Sequence, residues 1–123
     1  MTVQQTLVVL KPDATKRRLI GRIIDRFEQK GLRPAALKML QLTPEQAADM
    51  YSVHKDEYFY DRLIEFTLSG PVVAMVLEGP DAIDVVRAMM GPTLSREAPA
   101  GTIRGDFALS RRRNLVHGSD SVE

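Results

Sequence analysis

Residues 71–77, PVVAMVL, are the longest apolar run in the chain, fenced by Ser69-Gly70 on one side and Gly79-Pro80-Asp81 on the other. The run is far short of the roughly 20 apolar residues that cross a bilayer. With Val72, Val73 and Val76 it predicts a strand over residues 72–78, the best strand in the chain. Other segments supply partners. Residues 6–10, TLVVL, read as a second buried strand, residues 34–42 as a third that starts at Pro34, and residues 107–110 as a short last one. Between them Ile20, Ile23, Ile24 and Phe27 fall on one helical face, and Gly31 ends that helix. Thr43, Pro44 and Gln46 spell a helix start with a capping box, running to about Tyr51. A helix over residues 59–68 is stopped by Ser69-Gly70-Pro71, and another bears Ile83, Val86 and Met90 before Gly91-Pro92. The order predicts an α+β sandwich of the split βαβ kind, its antiparallel sheet covered by helices on one face. A length of 123 residues suits a single domain, 1–123.

The absence of cysteine excludes disulfides and thiolate metal sites and fits a reducing compartment. The N-terminal apolar run is too short for a signal peptide. A net charge of +1 gives no global field for steering nucleic acid, so any anion site must be local. No P-loop, G-x-G-x-x-G, nucleophile elbow or metal-ligand spacing occurs. Residues 93–105 and 110–120 take no regular element. Both hold arginines and small polar residues, as functional loops often do. Around them stand Lys11 at the carboxyl end of a strand, Arg87 near the end of a helix, Thr93 after Gly91-Pro92, Arg104 between Gly101 and Gly105, and His117 in NLVHGSD. Ammonium and guanidinium donors suit a polyphosphate, and a neutral imidazole can attack phosphorus if held in line.

The stretches TLVVLKPD, IGRIIDRFEQKGL, SGPVVAMVLEG, APAGTIRGDFALS and NLVHGSDSVE carry a family resemblance. Over about residues 6–123 the chain resembles a nucleoside diphosphate kinase. The resemblance implies a ferredoxin-like core with a four-stranded antiparallel sheet, a cytoplasmic homo-oligomer (hexamer or tetramer) and a ping-pong reaction through phosphohistidine. It implies His117 as the nucleophile. Lys11 would contact the transferred phosphate and ribose, while Arg87, Thr93 and Arg104 hold phosphates. Asn114 would bond the ribose 3′ hydroxyl and Phe59 would stack on the base. Tyr51 would support the histidine, and Ser119 would bond near the phosphoryl acceptor. Mg²⁺ would ride on ATP and the other nucleotides' phosphates rather than in a protein cage. Departures from the family pattern are Glu57-Tyr58 near the nucleotide entrance, Arg111-Arg112 in the base-facing loop, and LSREAPAG, which lacks an Asn-Pro pair. The chain ends at Glu123, where family members commonly continue; it reads as truncated there, without the glutamate that usually bonds the histidine ring.

Taken singly, these residues have ordinary explanations. A lone terminal histidine is more often incidental, Lys11-Pro12 is also a turn signal, and most single arginines are solvated. Phe59 stands between Tyr58 and Tyr60, of which one or two are expected in the core, and His54 is expected at the surface. Arg111-Arg112-Arg113 suits a solvated loop or a subunit contact better than a nucleic-acid patch. Two rival readings differ in class: a nucleotide- or nucleic-acid-binding homologue with weak or lost catalysis, and a phosphotransfer partner loaded by another protein. The joint presence of Lys11, Arg87, Thr93, Arg104, Asn114 and His117 favours the enzyme.

Overall fold

The computed structural model describes residues 3–92, 98–108 and 115–118. The elements in chain order are β1 (Val3–Leu10), α1 (Pro12–Lys16), α2 (Ile20–Lys30), β2 (Arg33–Leu40), α3 (Pro44–Met50), α4 (Tyr60–Thr67), β3 (Val72–Pro80), α5 (Ala82–Met90), α6 (Ile103–Phe107) and β4 (Val116–Gly118). The strands form one sheet in the order β2-β3-β1-β4, with every pairing antiparallel. This is the βαββαβ arrangement of a ferredoxin-like α+β fold.

Local chemistry sets several boundaries. Gly31 adopts φ 105°, and its N–H and that of Leu32 close the end of α2 on Glu28 and Phe27. The Thr43–Gln46 capping box is reciprocal: Gln46 N–H donates to Thr43 Oγ1 at 3.1 Å and Thr43 N–H to Gln46 Oε1 at 2.9 Å. Pro12 ends β1 and also opens α1, because its ring keeps Lys11 extended (ψ 167°) while fitting the first helical turn.

Val8, Leu10, Val73, Met75 and Leu77 pack on one sheet face against Ile23 and Phe27 of α2 and Val86 and Met90 of α5. Strand alternation sends Val9 and Val72 to the opposite face, and both are buried there too. Ala47, Tyr51, Leu63 and Thr67, from the α3–α4 region, are buried outside the main cluster. The second face is thus not bare: Tyr51, just after α3, meets His117 there.

Two corrections concern the last strand. Phe107 closes α6, since Thr102 caps that helix with a side-chain bond from Gly105 N–H. The strand at the sheet edge is β4, three residues within the stretch that sequence alone left without an element. Its apolar pair Leu115-Val116 is too short to announce a strand and acquires meaning only when Val116 pairs with Leu10.

Candidate active site

β4 places His117 opposite Val9 and so on the sheet face turned away from the main core. A cleft of about 1210 Å³ opens there, its lining shared by His117, Arg104, Arg87, Gly91, His54 and Asp49. The approach to His117 is fixed just upstream. Leu115 is buried with φ 76°, a left-handed backbone that a bulky residue rarely adopts. Lys11 N–H donates to Leu115 O at 2.7 Å, and Leu115 N–H donates to Asp13 Oδ2 at 3.1 Å. The Lys-Pro-Asp turn thus grips both backbone groups of Leu115.

Tyr51 meets the His117 ring edge-on, with centroids 5.2 Å apart, and Lys11 Nζ lies 5.4 Å from the centre of the same Tyr51 ring. Lys11 and Tyr51 are only 3% and 4% exposed and stand behind the cleft wall. Arg104 donates from Nη1 to Gly91 O and from Nη2 to Val116 O, both at 2.8 Å, joining the end of α5 to β4 beside the histidine. Gly105 serves this packing: a Cβ there would fall on the Pro99 carbonyl. From α2, Arg26 pairs with Asp106 at 2.6 Å and so holds α6 from outside.

The electrostatics of this wall are strained toward an anion. Burial, then the Arg104 charge, brings the Lys11 ammonium down from 10.5 to about 7 against the opposing pull of Asp13. Burial lowers Arg104 to about 10; Tyr51 counters this and Arg87 adds to it. Burial raises the Tyr51 phenol and the Asp13 carboxyl, the latter against Lys11 and nearby backbone N–H groups. Arg104 thus repels Lys11 and is itself repelled by Arg87, and a bound polyphosphate would relieve both strains.

His117, Tyr51, Lys11, Arg87 and Arg104 are therefore gathered as the sequence suggested. Phe59 is half-buried and does not line the cleft; its ring contacts are Tyr58, at 5.4 Å, and His54, at 5.5 Å. None of the three consecutive aromatics is buried: Phe59 and Tyr60 are intermediate and Tyr58 is 90% exposed. Thr93, Asn114, Ser119 and Arg111-Arg112-Arg113 lie outside the described residues. The site also takes in His54, expected at the surface. It is half-buried in the cleft wall, with its ring 6.4 Å from Tyr51. The available signal was its position three residues after Tyr51, which puts both on one side of a helical turn.

A family model described as nucleoside diphosphate kinase matches residues 4–123. A nucleoside diphosphate kinase of Staphylothermus marinus is 59% identical over 123 residues, covering 100% of this chain and 87% of that protein. One from Thermoplasma acidophilum is 56% identical over 120 residues, covering 98% and 81%. The structure of a halophilic nucleoside diphosphate kinase from Halobacterium salinarum in complex with CDP superposes with a TM-score of 0.94 at 45% identity, over 97% of this chain and 78% of that one. The Aquifex aeolicus nucleoside diphosphate kinase gives 0.92 at 46% identity, over 98% and 88%.

Proposed function

Because the chain belongs to the nucleoside diphosphate kinase family, we propose that it moves the terminal phosphate of a nucleoside triphosphate to a nucleoside diphosphate through phosphohistidine at His117. In the first half-reaction an imidazole nitrogen attacks the γ-phosphorus. The bond to the β,γ-bridging oxygen breaks, and the diphosphate leaves with that electron pair. In the second, a terminal oxygen of the acceptor diphosphate attacks the phosphohistidine, and the N–P pair returns to the ring.

The observation that supports this reading is His117 in the wall of a cleft shared with Arg87 and Arg104, and backed by Tyr51 and Lys11. Arg87 and Arg104 neutralise the phosphates, and Lys11 adds charge from behind. Thr93 joins the phosphate contacts, Asn114 bonds the ribose and Ser119 serves the acceptor, while Phe59, outside the cleft lining but with its ring 5.5 Å from that of His54 in the cleft wall, offers that ring to the base at the entrance. Base stacking discriminates little, so the substrate class is broad. A divalent cation, Mg²⁺, would travel with the nucleotide on its phosphate oxygens. When bound, it supplies charge neutralisation on phosphate oxygens.

Self-association is part of the same reading. β2 is an edge strand with Leu37 and Met39 more than half exposed, an apolar margin that a second copy would cover. Among the described residues no helix is long and apolar enough to cross a membrane, and a cysteine-free chain suits the cytoplasm.

Incubation with γ-labelled ATP tests the chemistry. The label is expected to be covalent, stable in alkali, lost in acid, absent in His117→Ala, and transferable to GDP. Label that survives acid, or ATP–GDP exchange that persists in His117→Ala, overturns the proposal. Nucleotide binding without exchange would instead support the non-catalytic homologue.

A further inference from the structure

We propose that Asp13 is a positioning residue for phosphoryl transfer: its carboxylate fixes Leu115 and thereby the pose in which β4 offers His117. The inference rests on the phosphohistidine reading above. Asp13 is 6% exposed, a depth at which a carboxylate is rare unless it is held by specific partners. Its Oδ2 accepts the Leu115 N–H at 3.1 Å, across 102 residues of sequence. Lys11, two residues before it, takes the Leu115 carbonyl at 2.7 Å. Leu115 cannot relax toward an ordinary φ without breaking one of these bonds or withdrawing its buried side chain. A residue held in that region costs about 1–3 kcal/mol and persists only when its surroundings over-determine it. Two residues on, the same backbone carries the His117 ring.

The carboxylate also opposes the depression of the Lys11 ammonium by burial and by Arg104. Among the described residues, the groups facing Lys11 include Asp13 from α1, Arg104 from α6 and Tyr51 from the turn after α3, and of these Asp13 carries the negative charge. Its removal should therefore make Lys11 lose its proton at lower pH.

The experiment follows His117 phosphorylation by γ-labelled ATP in single turnovers, from about pH 6 to about pH 9, in wild type, Asp13→Ala and Asp13→Asn. Asp13→Ala loses both grip and charge. Its transfer rate should fall roughly a hundredfold, with nucleotide KM little changed, as a misplaced nucleophile predicts. Asp13→Asn keeps an oxygen for the Leu115 N–H. It should recover most of the rate at the acid end, while its alkaline limb moves to lower pH. A wild-type rate in Asp13→Ala overturns the inference. So does an Asp13→Asn rate that falls about a hundredfold at the acid end despite the retained oxygen, which decides the matter if Asp13→Ala fails to fold. An unlabelled wild type would defeat the phosphohistidine reading and this inference together; wild-type labelling with unchanged variants defeats only the latter.

Discussion

Replacing Lys11 with methionine should make the protein more stable at neutral pH while removing a cation from the active site. Burial and Arg104 bring the Lys11 ammonium from 10.5 to about 7 in the fold. At about 1.36 kcal/mol per pH unit, holding the charge in place costs the native state about 5 kcal/mol when both states are protonated. The sign is that of a base whose folded pKa is depressed. The cost is fully present below about pH 7 and is released as pH rises from there toward the unfolded value of 10.5. Wild-type stability should therefore gain about 3 kcal/mol from this residue between about pH 6 and about pH 9, and Lys11→Met should lack that gain. At about pH 6 the variant should be the more stable by about 2 kcal/mol, the remainder of the 5 being lost when Asp13 is left without its cation. Methionine matches the length of the lysine stem and leaves no large cavity. Urea unfolding of both proteins at several pH values, read by circular dichroism, measures the difference directly. Parallel pH curves for the two proteins, or a variant less stable at every pH, would refute the reasoning. They would mean that the buried ammonium is fully compensated in the folded state.

Gly105→Ala tests the packing beneath Arg104. Its methyl would meet the Pro99 carbonyl, so α6 must shift; a loss of about 1–3 kcal/mol in thermal unfolding, with weaker nucleotide binding, is expected. Thr43→Ala removes one arm of the capping box and should cost about 1 kcal/mol in a urea melt without changing the phosphorylation rate of His117.

The sequence was most informative where local rules and tertiary packing agree. The capping box at Thr43, the glycine stop at Gly31 and the β-branched run in β3 each carry their own signal, and all three stand in the fold. It was least informative for elements that exist only by contact. β4 is three residues long and is stabilised by pairing with β1; α6 is a five-residue turn held by Thr102, Arg26 and the absence of a side chain at Gly105. The gathering of His117 with Lys11, Arg87 and Arg104 was legible through motif resemblance. The burial of Lys11 behind Tyr51 was not, because nothing in LKPD distinguishes a lysine at a cleft rim from one beneath it. His54 escaped for a related reason: an isolated histidine among charged neighbours looks solvated until Phe59 and Tyr51 are found beside it.

His117 rides on a margin strand paired on one side only, through Val8, Val9 and Leu10. Because successive side chains in a strand point to opposite faces, a slip of one position would turn the imidazole into the hydrophobic interior and present a valine or a glycine to the nucleotide. A slip of two would restore the facing but move the ring about 7 Å along the strand, out of reach of Tyr51. Placement of the reactive nitrogen is thus an all-or-none property of how the last strand zips onto the first, and gradual drift has no intermediate that works.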